Sequence, residues 1–231
     1  AGNGAAGTNI GVYIGVGGQI TVPDVSVANS TFTITGVGGQ GATGGQNLGV
    51  FLGGELSSPG PSVTIDATSG NGPESYGMFI GDSVVSMVGP GLLLIKADST
   101  VANVLDLYLG FPSTVTTITH TGNGLAAIEF VADSVQIDPT VTISASAANV
   151  GFVPYHANQL INLGSTVDTT AGTLELSDAE LDRVTAAQLQ IGDSASGALT
   201  ISAPITRAAA TILNLQSAGA VSFGGGSLNS N

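Results

Sequence analysis

The sequence predicts an all-β chain, a parallel β-helix solenoid of about eight coils with Gly-rich loops. Three observations predict it. Short apolar–polar alternations recur at steps of 22–33 residues, two strand types take turns along the chain, and Gly, Asn and Asp gather between them. Alternation of period two marks a strand with one buried face. Gly, Asn and Asp suit corners that need positive φ. A single coil cannot bury its inward row, but coils stacked at about 4.8 Å share one continuous apolar interior. An antiparallel sandwich is the other architecture that short, evenly spaced strands allow.

The first strand type reads apolar, any, aliphatic, any, small. Its copies are Phe32-Thr-Ile34-Thr-Gly36, Val63-Thr-Ile65-Asp-Ala67, Leu93-Leu-Ile95-Lys-Ala97, Val141-Thr-Ile143-Ser-Ala145 and Leu199-Thr-Ile201-Ser-Ala203, with weaker ones around Ile118, Leu176 and Phe223. The second type, aliphatic, any, aliphatic, Gly, falls between them. It reads Val12-Tyr-Ile14-Gly15, Val50-Phe-Leu52-Gly53, Met78-Phe-Ile80-Gly81, Leu107-Tyr-Leu109-Gly110, Ile161-Asn-Leu163-Gly164 and Leu189-Gln-Ile191-Gly192, with Ile128-Glu-Phe130 lacking the Gly. The stretches 36–45 and 69–72 read as longer loops on one edge. Ser177-Asp178-Ala179-Glu180 is a capping box followed by Leu181 and Val184 at helical spacing. It predicts a short helix at 178–186, with a coil corner as the alternative. The whole of 1–231 reads as a single β-helix, with irregular Gly-rich coils over 1–155 and a second style of coil over 156–231.

Composition narrows the partners. Of 231 residues 35 are Gly, and only 8% are charged. Sixteen acids face three bases, Lys96, Arg183 and Arg207, for a net charge of −13. Nucleic acid and anionic membranes need clustered Lys and Arg, so neither is expected as a primary partner. Mean hydropathy is +0.41, yet no run of 18 apolar residues exists to form a transmembrane helix. With no cysteine, disulfides and Cys-based zinc or iron–sulfur centres are excluded. The chain opens at Ala1 without a signal-peptide pattern, which reads as a processed chain or a piece of a longer one. The composition fits a bacterial extracellular protein.

The segment from Gly172 to Asp193, with its LSDAELDRV run and the later LQIGD, resembles the filamentous-haemagglutinin-like adhesins. These are secreted passengers of two-partner secretion and autotransporter systems. The stretch ITGVGGQGATGGQNLGVFLGG is similar to the Gly-rich coil repeats of that family. The resemblance implies a right-handed β-helix, secretion to the cell surface, and an adhesive or structural role without catalytic residues. The chain is much shorter than such proteins.

Most chemical motifs have structural readings. Gly36-Val-Gly38-Gly-Gln-Gly41 matches a dinucleotide fingerprint, but no helix is predicted to open at its third Gly, so it reads as a loop. His120 and His156 lack a nucleophile elbow or metal-ligand spacing. His120 faces inward if Ile118 keeps the repeat register, and outward if Val115 and Thr117 point in. Asp133 with Asp138, or Asp178 with Asp182, are the carboxylate pairs that could cleave a glycoside, though acids at corners are ordinary turn residues. No calcium loop is present and no cofactor or metal is expected. Thr31, Thr33 and Thr35 form no row that repeats through the coils.

The most informative residues are Tyr13, Phe51, Phe79 and Tyr108. Each is the middle residue of the second strand type, in four consecutive coils. Glu129, Asn162 and Gln190 hold that place later, so the aromatics are expected to face outward as a ladder, uncovered at the sides by neighbouring glycines. Either loops of the chain fold over the ladder or it is an interaction stripe for a second rod, another surface protein or a glycan. The expected function is a non-enzymatic extracellular structural or adhesive module. A filament subunit stacking through open coil ends is the second reading, and a polysaccharide-active β-helix enzyme the third.

Overall fold

A computed structural model of the chain describes residues 8–24, 30–40, 45–122, 126–207 and 211–230. The chain is almost wholly β, and every pairing between its strands is parallel. Parallel neighbours cannot be joined by a tight hairpin, so the chain must make a circuit before it returns beside itself. The sandwich is thereby ruled out. Among the described residues the one antiparallel contact is an isolated bridge, Phe111 to Thr114, within a turn.

The circuits of the first part use three strands, where the sequence predicts two. They are β1 (Val12–Ile14), β2 (Gln19–Thr21) and β3 (Thr31–Val37), then β4 (Val50–Leu52), β5 (Glu55–Ser58) and β6 (Ser62–Thr68). Next come β7 (Met78–Ile80), β8 (Val84–Met87) and β9 (Leu93–Asp98), then β10 (Leu107–Leu109), β11 (Thr116–His120) and β12 (Ala126–Val131). After β13 (Val135–Ile137), the long strand β14 (Val141–Val153) serves two faces, bending between them at a break in register from Ala145 to Asn149. The result is a solenoid-like stack with three faces. The first carries β1, β4, β7, β10 and β13; the second carries β2, β5, β8, β11 and the start of β14; the third carries β3, β6, β9, β12 and the end of β14.

This arrangement redistributes the repeat copies. Ile34, Ile65 and Ile95 align on the third face, as expected. Ile118 and Ile143 align instead with Val85 on the second face. The missed strands, β2, β5 and β8, span three or four residues each, too short for alternation to register. The inward column of the third face continues through Phe130, Phe152, Ile191 and Leu215, and the rings of Phe130 and Phe152 stack at 5.0 Å. Burial of each such side chain contributes about 1.5–3 kcal/mol.

The later elements are β15 (Leu160–Leu163), β16 (Thr173–Leu176), α1 (Asp178–Leu181), β17 (Val184–Ile191), β18 (Leu199–Ile201), β19 (Ile205–Arg207), β20 (Ile212–Leu215), β21 (Val221–Phe223) and β22 (Leu228–Ser230). Their order in space is not their order in sequence. One sheet runs β16, β15, β18, β21, so β15 sits ahead of its turn and the chain doubles back through 164–172 to lay down β16. The capping box forms as expected: Ser177 Oγ accepts from Glu180 N, and the Glu180 carboxylate accepts from Ser177 N. The helix ends at Leu181, however, not at 186. Val184 is needed as the start of β17, where it is buried in register with Ile143.

The break in the first face is closed by side chains. Ile137, at the end of β13, gives its N–H to Glu180 Oε1 at 2.9 Å, and its carbonyl accepts from the Arg183 guanidinium. Further along, the buried Arg207 donates to the carbonyls of Leu181 and Val184 and lies 3.8 Å from Asp182. Two of the three cations of the chain thus bond backbone carbonyls that no strand pairs among the described residues.

Candidate functional site

The outward residues of the first face stand in register: Tyr13 beside Phe51, Phe51 beside Phe79, Phe79 beside Tyr108, and Tyr108 beside Gln136. All four expected ladder residues are therefore brought together. Tyr13 stacks on Phe51 at 5.0 Å, Phe79 on Tyr108 at 5.0 Å, and Phe51 meets Phe79 edge to face at 5.3 Å. Such pairs contribute about 0.5–1.5 kcal/mol each beyond burial.

The ladder differs from expectation in three ways. Its continuation is Gln136; Glu129 and Gln190 belong to the third face, and Asn162 to the sheet of β15. The glycines do not leave the rings uncovered. A Cβ at Gly53 would lie 2.6 Å from the Phe51 ring and one at Gly15 2.7 Å from the Tyr13 ring, so the rings lie across these glycines. Finally, the row is bare only at one end. Tyr13 is 63% exposed whereas Phe79 is 7% exposed, because Tyr76 and Phe111 pack over it with centroids 6.2 and 6.1 Å away. Tyr108 donates to Asp138 at 2.9 Å, and burial with that carboxylate pushes its pKa up to about 12.

A second feature lies where the third face turns into the first, and sequence reasoning missed it. A cavity of about 190 Å³ is lined by residues from Asp98 to Asp106, by Asp133 and Ser134, by His156 and Gln159, and by 169–172. Asp106 is buried and accepts from the N–H groups of Ser99, Asp133 and Ser134. Burial outweighs these three donors and pushes its pKa up to about 7. Asp133 receives both the N–H of His156, at 2.9 Å, and its Nδ1, at 2.5 Å. That bond raises the imidazole pKa, and the ring stays 60% exposed. Burial raises Asp98 while nearby His156 partly offsets the shift. Lys96, two residues earlier, points elsewhere, lying over the Tyr155 ring at 5.7 Å. No spacing signal could have assembled these groups, since they meet only through stacking of corners from successive circuits.

The remaining candidates are structural. His120 faces inward and is buried; its Nδ1 accepts from Gly122 N, so Nε2–H donates to the Gly91 carbonyl at 2.8 Å. Asp138 serves Tyr108, Asp178 accepts from Thr206 N, and Asp182 faces Arg207. The nominated carboxylate pairs are therefore each tied to separate backbone or side-chain duties. Gly36 and Gly38 are packing glycines, where a Cβ would fall 2.2 Å from Gly49 O and 2.3 Å from Asn47 O; no helix opens over 38–40, and Gly41 lies outside the described residues. Thr33 aligns with Thr64 and then Leu94, so that row stops, as expected. A hydroxyl row does exist on the second face, through Thr21, Ser57, Ser86, Thr119, Ser144 and Thr185. Among the described residues no cluster of His, Asp and Glu has the arrangement to hold a metal, and no helix is long and apolar enough to cross a membrane.

Fold and site together define a parallel-strand, solenoid-like β protein with an outward aromatic row and an acid-lined corner cavity. The chain matches no protein-family model, no curated protein and no solved structure.

Proposed function

We propose that the chain is a structural or adhesive module of a bacterial surface protein: a right-handed β-helix of about eight coils that acts by presenting its faces. The single observation behind this reading is the in-register aromatic row, exposed at Tyr13 and partly buried at Phe51. Exposed rings in a row are costly to leave in water and are typical of contact surfaces. The resemblance to haemagglutinin-like adhesins supports secretion and cell-surface display. A glycan or another surface protein that offers an apolar face would cover the open end of the row.

The test is adhesion of the purified chain to bacterial and host cells, compared with the double variant Tyr13→Ser, Phe51→Ser. Adhesion lowered at least about tenfold in a folded double variant is the expected result. Undiminished adhesion removes the stripe, and no adhesion by the parent chain removes the adhesive role.

A filament reading has its own observation. The last strands, β20 to β22, expose Ile212, Val221, Phe223 and Leu228, Phe223 by 61%. An apolar surface of this kind suits the stacking of a second rod. Fibres that lengthen with concentration, seen by electron microscopy, would favour that reading.

A further inference from the structure

The corner cavity is a consequence of the doubled-back chain. Because β15 is placed ahead of its turn, the return segment passes the corner, and Thr169, Thr170 and Gly172 become one wall of the cavity. Its other walls are the corners of earlier circuits, which supply Asp98, Asn103 and His156, while Gln159 comes from the approach to β15. The volume of about 190 Å³ equals roughly six waters at about 30 Å³ each, the size of one sugar ring.

The lining groups divide into occupied and free. Asp106 is saturated by three backbone N–H groups, and Asp133 is spent on His156. Among the described residues, the Asp98 carboxylate, the Asn103 and Gln159 amides and the Thr169 hydroxyl make no side-chain hydrogen bond to the rest of the chain. His156 engages Asp133 through Nδ1, which leaves Nε2 open. A free carboxylate, two amides and a hydroxyl around a ring-sized space suit a compact ligand with several hydroxyls. No Lys or Arg lines the cavity, so uronates, sialylated sugars and phosphates meet uncompensated negative charge. An ammonium adds Coulomb attraction between opposite charges to its hydrogen bond with a carboxylate, which favours it over a hydroxyl against Asp98.

We propose that this cavity binds a protonated amino-sugar unit, its ammonium at Asp98 and its hydroxyls at Asn103, Gln159 and Thr169. The site is separate from the aromatic row and stands or falls independently of it. The test titrates the full chain with glucosamine, glucose, glucuronate and n-propylamine, followed by calorimetry and by the imidazole signals of His156 in NMR spectra. Glucosamine is expected to bind about five- to tenfold more tightly than glucose or propylamine, with no binding of glucuronate. Asp98→Asn should bring glucosamine down to the level of glucose, and Gln159→Ala should weaken both sugars. The Asp98 side chain makes no hydrogen bond that folding needs, and a circular dichroism spectrum like that of the parent verifies the variant. Absence of glucosamine binding overturns the proposal, as does binding unchanged in Asp98→Asn or equal binding of propylamine. Retention of glucosamine binding in the Tyr13→Ser, Phe51→Ser variant is expected; its loss in that folded variant would place the sugar on the aromatic row instead.

Discussion

From β1 to β13 each first-face strand stacks on the one three places earlier, and like meets like: Val12, Val50, Met78, Leu107 and Val135 inside, aromatic rings outside. After β14 the rule changes. The sheet order becomes β16, β15, β18, β21, and the backbone groups left without a strand partner are taken by Glu180, Arg183 and Arg207. Columns of similar apolar residues set which residue faces inward, but any coil fits any other equally well. A buried carboxylate or guanidinium fits one partner only, because leaving it unpaired costs several kcal/mol. The first region is thus specified by sequence order, and the second by charge.

The sharpest break in that comparison comes from the charged clamps. Glu180→Ala removes bonds to Ile137 N, Ser177 N and Ser177 Oγ, and is expected to cost about 3–5 kcal/mol in urea unfolding. Arg207→Met, which frees two carbonyls, should cost about 2–3 kcal/mol. Lys96→Met, at a cation that only overlies a ring, should change stability by under about 0.5 kcal/mol. If all three cost alike, charge does not specify the second region.

A smaller effect sharpens the first region. Phe79→Ala empties the covered centre of the aromatic row and should cost about 2–3 kcal/mol, while Tyr13→Ala, at the exposed end, should cost under about 1 kcal/mol. Thermal unfolding of the two variants side by side decides it. Equal losses would mean that Phe79 is no better covered than Tyr13 in solution.

A dependence on pH spans both regions. Asp106 in the first and Asp168 in the second are each carried by burial to about 7, above the roughly 3.9 of an unfolded Asp. Between those values the folded chain holds more protons than the unfolded one, so stability is greatest below about pH 4 on this account and declines as pH rises through 7. The urea midpoint should therefore be higher at pH 5 than at pH 8. His156, whose pKa is also raised, acts in the same direction, its contribution being lost as pH rises through the folded value. Asp106→Asn and Asp168→Asn should each flatten the profile, and by similar amounts, since the two carboxyls are shifted to the same value. A midpoint that rises from pH 5 to pH 8 would sink the assignment.

Much of the fold was legible where side chains alternate over five or more residues. The third-face strands around Ile34, Ile65 and Ile95 were read in the right register, and the aromatic residues were placed in one row. The short second-face strands escaped, because Ile20, Leu56 and Val85 each sit in strands of three or four residues. Their loss merged two faces into one and shifted the later copies, so Gln136 was overlooked as the continuation of the row. The cavity was not legible at all: Asp98, Asp133 and His156 are separated by whole circuits and carry no common spacing.

Local alternation and the capping box at Ser177 act within a few residues, so the strand-rich, stacked character of this chain and the start of the helical turn at Asp178 are written locally in the sequence. Coverage of Phe79 by Tyr76 and Phe111, the placement of β15 ahead of its turn, and the cavity wall formed by the return segment depend on which strand lies beside which. Apolar columns are nearly interchangeable from coil to coil, so they leave that choice open. It is made only when the buried carboxylates and guanidinium groups find the backbone atoms they alone can satisfy.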